Sequence, residues 1–157
     1  MALAAGVMVL LVAFALPLMR MGRTDTAPAE GAATEGLPWQ VARLPEGRAR
    51  VFGLEPGRHT LAEVQARLGD AMQVALVARL GDEASLEALV EPYAAGFVTG
   101  RLVLAFEAPA ARRQAWRDQA TGSEPMEGGV RRFSLRGADL AEAGGSRLVG
   151  ISFVPTV

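Results

Sequence analysis

The chain has no cysteine. That excludes a disulfide framework, a thiol nucleophile and zinc or iron-sulfur sites built on thiolates, and leaves the redox compartment open. Lysine is absent too: all sixteen basic residues are arginine. We read this first as compositional bias, and it removes a P-loop lysine and a Schiff-base lysine from consideration. Sixteen arginines face seventeen acids for a net charge of -1, so there is no field of the kind that attracts nucleic acid, and no nucleic-acid partner is expected. The doublets Arg112-Arg113 and Arg131-Arg132 read as solvated faces. Aromatics are sparse; Trp39, Trp116, Phe97, Phe106, Phe133 and Phe153 are expected as core or edge plugs, because a stacking platform needs basic neighbours in a groove. Trp39, just past a linker, reads equally as a cap on the core or as a membrane-surface residue.

Residues 2–19, "ALAAGVMVLLVAFALPLM", carry no charge and no strong polar group. As a helix they would extend about 27 Å, close to a hydrocarbon core of about 30 Å. The run is expected to be a signal anchor within residues 1–23, making the membrane the first partner; the small-x-small "AFA" at 13–15 keeps open cleavage of a signal peptide. Arg20 and Arg23 follow the span and no arginine precedes it, which by the positive-inside rule alone would hold the C-terminal domain in the cytoplasm. That rule weakens ahead of a long domain, and the expected location is the inner membrane, single-pass, with the domain in the periplasm; a cleaved periplasmic form and a cytoplasm-facing subunit are the alternatives. Residues 24–36, "TDTAPAEGAATEG", lack large apolar side chains and read as a flexible linker. The folded domain is expected over 37–157, with "ISFVPTV" read either as the last strand of a sheet or as the lead into a further helix.

Within that domain, "RARVFGLEPG" reads as a short strand ending in a Pro-Gly turn at 56–57. Thr60 followed by Glu63 is a capping box, and Leu61, Val64 and Leu68 then share one helical face before Gly69 stops the helix. "AMQVALVARL" places Met72, Val74, Leu76, Ala78 and Leu80 on one side at period two, as for a strand against a core. Two strands are expected around a loop near 92–96, the second over 98–107, then a helix from Pro109 with Trp116 as its one large anchor. "TGSEPMEGG" reads as a glycine-rich loop, 130–136 as a strand, "ADLAEAGG" as a short turn, and "RLVGISFVPT" as the last strand. The expected class is α+β: a signal-anchor helix, then a mainly antiparallel sheet packed with two short helices.

The segment "FGLEPGRHTLAEVQARLG" resembles the signature of the SmpA/OmlA (BamE-like) envelope domains, over about residues 51–80. The resemblance implies a small extracytoplasmic domain that acts by protein–protein contact in outer-membrane assembly, with no catalytic residues to carry over. Three features depart from that family. There is no lipobox cysteine, the Gly-x-Pro after the helix is Gly69-Asp70-Ala71 here, and the second half exceeds the minimal domain.

Little in the sequence points to catalysis. His59, the single histidine, lies between the Pro-Gly turn and the Thr60 cap, either as a loop residue or near a helix N-terminus; a general base would need a partner brought to it in space. Glu83, Glu87 and Glu91 recur every four residues, but they fall in a segment that reads as strand and favour solvated charges over a cation site. Ser123, Ser146 and Ser152 lack a Gly-x-Ser-x-Gly elbow, and "GGSR" at 144–147 is too short for a phosphate loop. No catalytic, cofactor or metal residue is therefore assigned. The expected function is that of a membrane-tethered envelope protein acting by protein–protein interaction. The alternative is an exported enzyme or small-ligand binder using His59, nearby acids and the glycine loop at 121–129.

Overall fold

The computed structural model describes residues 37–156; the leader over 2–19 and the linker over 24–36 lie outside them. Among the described residues no helix is long and apolar enough to cross a membrane. The domain opens with a two-stranded ribbon, β1 (Ala42–Arg43) and β2 (Ala49–Arg50), in place of one strand running to the Pro-Gly turn. Then come α1 (Leu61–Leu68), β3 (Met72–Arg79), β4 (Ser85–Ala95), β5 (Val98–Phe106), α2 (Ala110–Asp118), β6 (Gly122–Pro125), β7 (Val130–Ser134), α3 (Gly137–Ala143) and β8 (Leu148–Pro155). The large sheet has the order β6-β7-β3-β4-β5-β8, with every neighbouring pair antiparallel. The α+β class with a mainly antiparallel sheet is observed, with three short helices among the described residues where two were expected.

The capping box forms as the sequence requires. The Glu63 amide donates to Thr60 Oγ1 at 3.3 Å and the Thr60 amide donates to Glu63 Oε2 at 2.8 Å. Gly69 ends α1 with a φ of 71°, a conformation that side chains disfavour. Leu61 and Val64 point into the core together with Met72 and Leu76 of β3, Leu86 and Val90 of β4, Leu102 and Leu104 of β5, Trp116 of α2, and Ala143 and Leu148 beyond it. Buried residues of all three helices thus join one face of the sheet. Each fully buried leucine there contributes about 1.5–3 kcal/mol of hydrophobic stabilisation.

Several local expectations are corrected. The β4–β5 turn is the pair Gly96-Phe97, not a loop at 92–96, and Gly96 supplies the positive φ of 63° that a tight hairpin needs. Pro92 lies inside β4, where the register slips between Val90 and Tyr93; a bulge tolerates a residue with no N–H to donate. Leu80 does not face the core: β3 ends at Arg79, and Leu80 is 88% exposed in the following turn. The glycine-rich loop contains an edge strand, β6, paired with β7. The "ADLAEAGG" turn is the helix α3 with buried Asp139 and Ala143.

Candidate functional site

His59 is built into the turn that precedes α1. Its Nδ1 accepts a hydrogen bond from the Glu55 amide at 2.9 Å, its own amide donates to the Glu55 carbonyl at 3.2 Å, and its carbonyl accepts from the Leu148 amide at 2.8 Å. The Gly57 amide donates to the Leu148 carbonyl at 2.7 Å, so the loop is stitched to the start of β8 at two points. With Nδ1 occupied as an acceptor, the ring proton belongs on Nε2. The imidazole closes a loop and has no nucleophile in hydrogen-bond contact among the described residues.

The nearest acids are committed as well. The Glu55 side chain is 1% exposed and meets Arg48, Arg50 and Arg58, the last two at 3.4 and 3.9 Å. Burial pushes its carboxyl up, but the Arg48 charge and the hydrogen bonds from Arg48 and Arg50, with Arg58 behind them, outweigh that and hold it below the ordinary 4.5. Glu63 is held below 4.5 chiefly by the Thr60 amide and hydroxyl. The amides at the start of α1 are also spent: Leu61 donates to the Ser146 carbonyl at 2.8 Å and Ala62 to the Gly144 carbonyl at 3.0 Å. The helix N-terminus beside His59 therefore offers no free donors to an anion.

Asp139, 5% exposed, takes a two-pronged bond from Arg136, Nε to Oδ2 at 2.7 Å and Nη2 to Oδ1 at 2.8 Å. Those bonds lead the forces holding its carboxyl below the ordinary 3.8. Depressed carboxylates stabilise a fold above their unfolded pKa and lose that contribution as pH falls through the folded value. Urea unfolding is therefore expected to have a flat midpoint from pH 7 to about 5 and a falling one below about 4.5. Asp139→Asn should shallow the acid limb, and an unchanged limb in that variant would remove Asp139 from the account.

The remaining sequence candidates do not converge. Glu83 lies ahead of β4, not on it, and bonds Arg113 at 2.8 Å; Glu87 and Glu91 are on β4, and Glu91 is paired with Arg101 at 3.0 and 3.2 Å. Ser123 Oγ accepts from Arg131 at 2.9 Å, the Ser146 carbonyl serves α1, and Ser152 stands opposite Val103 in the sheet. Among the described residues no group of three or more histidines, aspartates or glutamates is placed to hold a metal ion.

The feature that sequence reasoning missed is the second face of the sheet. Register places Ala75, Glu87 and Ala105 in one row and Gln73, Leu89 and Val103 in the next, all pointing away from the helices. None of these residues belongs to the core cluster, and no helix among the described residues covers them. With the β6–β7 connection they form a groove of about 610 Å³, floored by Ala75, Val77, Leu89 and Val103 and edged by Met126 and Arg132. Arg132 is engaged by Glu124 at 2.7 Å and by Gln73 at 3.0 Å, and Arg101 by Glu91. Glu87, half-buried on the groove floor, accepts a hydrogen bond from the Ser85 hydroxyl and has no arginine within ion-pair distance among the described residues. The signal was present in the sequence: "VALV" and "RLVLAF" are apolar at odd as well as even positions, where a sheet with one wet face would alternate.

No family model, no curated protein and no solved structure matches the chain.

Proposed function

We propose that this is a membrane-tethered cell-envelope protein that works by contact with another protein through the open face of its sheet. The tether is the apolar run at 2–19, and the likeness of residues 51–80 to SmpA/OmlA domains is the reason for placing the domain in the periplasm. The observation that carries the reading is the groove. An apolar floor with Glu87 unpaired on it and Glu127 unpaired at its edge, among the described residues, fits a partner segment that brings apolar side chains and basic groups, one of them opposite Glu87. The rival reading, an exported enzyme or ligand binder, loses its central residue, because His59 and Glu55 are spent on the loop and its arginines.

The test compares two variants of the full chain, captured from its own membranes after crosslinking. Glu87→Arg puts like charge against the partner's basic group and should cut recovery of the crosslinked partner about tenfold or more, the equivalent of about 1.4 kcal/mol. His59→Ala should leave recovery and phenotype as in the parent. A phenotype lost with His59→Ala and kept with Glu87→Arg would reverse the assignment in favour of the rival. A reporter fused after Val157 reads the sidedness directly.

A further inference from the structure

One end of the domain presents apolar surface that the sheet does not use. Trp39 is 64% exposed and Phe97 71% exposed, yet the two rings touch edge to face with centroids 6.1 Å apart. Val41 beside them is 50% exposed. Phe97 is at the tip of the β4–β5 hairpin, the opposite end of the strands from Leu80. A shallow depression lined by Trp39, Val41, Phe52 and Arg50 continues the patch, and Arg43 stands two residues beyond Val41. Neither aromatic stabilises the core, since neither belongs to the buried cluster or its packed rim.

We infer that this end is a membrane-interface foot: Trp39, Val41 and Phe97 enter the headgroup boundary of the bilayer that residues 2–19 enter, with Arg43 toward anionic headgroups. The inference rests on the tether proposed above. Three observations choose a lipid surface over another occupant. Tryptophan with neighbouring apolar groups and a rim of arginine is the composition that settles at the level of lipid headgroups. In sequence, Trp39 stands only twenty positions after Met19, the last residue of the apolar run. Finally, residues 20–36 can extend no farther than about 60 Å, which keeps the patch at high effective concentration beside the membrane. A foot at this end would leave the groove on the sheet face free for a protein.

The full chain, reconstituted in vesicles of phosphatidylethanolamine and phosphatidylglycerol, tests the inference through its two tryptophans, Trp39 and the buried Trp116. Acyl-brominated lipid should quench the emission that Trp39→Phe removes, by about twofold or more for a ring at the interface, and leave the Trp116 emission intact. Phe97→Ser should weaken the quenching. Protein that floats with the vesicles but shows no difference between brominated and plain lipid would overturn the foot and leave the tether standing. Protein that fails to float would overturn the tether and the foot together. Trp39 emission that stays unquenched yet shifts to the blue with rising protein density would assign the patch to a second copy of the chain, which also overturns the inference.

Discussion

Replacing Trp116 by alanine is expected to destabilise the domain by about 3–5 kcal/mol, the range for removing a buried tryptophan from a packed core. Trp116 is the one buried residue of α2 and is 4% exposed. The rest of that helix is alanine, arginine, glutamine and aspartate, so no other side chain can take over its contact with the core. The indole also donates from Nε1 to Glu142 Oε2 at 3.2 Å, and Glu142 meets Arg112 at 3.1 Å, so one carboxylate joins α2 to α3. Glu142 is 42% exposed, and water can replace a lost bond to it. Trp116→Phe, which keeps most of the ring volume, should therefore cost only about 1–2 kcal/mol. Urea midpoints of the three proteins check the order. A loss below about 1 kcal/mol for the alanine variant would mean that α2 is held by something other than its tryptophan.

The elements that sequence reading located are those whose signal is hydrophobic period or cap chemistry. α1 carries both, Thr60 with Glu63 at its start and Leu61 and Val64 on one face, and it begins and ends where those residues place it. β3 and β5 carry an apolar residue at every second position. α3 carries neither signal. Its buried positions are Asp139 and Ala143, an ion pair and a methyl group, and its single large apolar residue, the partly buried Leu140, does not by itself mark a helical stripe. β6 is exposed at all four positions, so it has no inner face to impose alternation, and its Gly122 and Pro125 look like loop residues. Pro92 reads as a strand breaker for a sound reason, and only the slip in register lets β4 run past it.

The candidate site was legible in part. His59 could be weighed as loop or base from sequence, but the amide of Glu55 that occupies its Nδ1 is a fact of folding. Period two assigns one face of a strand to the core and leaves the other to water by default. The open face departs from that default at Ala75, Val77, Leu89 and Val103; the apolar odd positions can be seen within single strands, but their union into one continuous surface appears only when neighbouring strands are laid in register. Glu87 illustrates the difference. In sequence it is one of three glutamates at a spacing of four; in the sheet it stands between Ala75 and Ala105, apart from Glu83 and Glu91, each of which has its own arginine.

Gly100→Ala is expected to cost about 2–3 kcal/mol, at the upper end of what one added methyl does in a packed site. Gly100 sits in β5 between Tyr93 of β4 and Pro155 of β8. A β-carbon there would stand 2.4 Å from the Val154 carbonyl oxygen and 2.6 and 2.9 Å from ring atoms of Phe153. The requirement is for space, because a ring lies flat across the strand where a side chain would rise, a known way for aromatics to cover a strand glycine. Phe153 cannot simply turn aside: it packs on Phe52 at 5.8 Å and Tyr93 at 6.3 Å, and those two rings touch at 5.3 Å. The Val154 carbonyl is backbone of a paired strand and has still less freedom. Shrinking the ring with Phe153→Leu should therefore return only part of the loss, and a double-mutant cycle by urea unfolding separates the ring from the carbonyl. Full recovery in the double variant would show that the ring alone excludes the methyl. A Gly100→Ala protein within about 0.5 kcal/mol of the parent would mean that β8 shifts to admit it, and that the contact closing this edge of the sheet is looser than the distances imply.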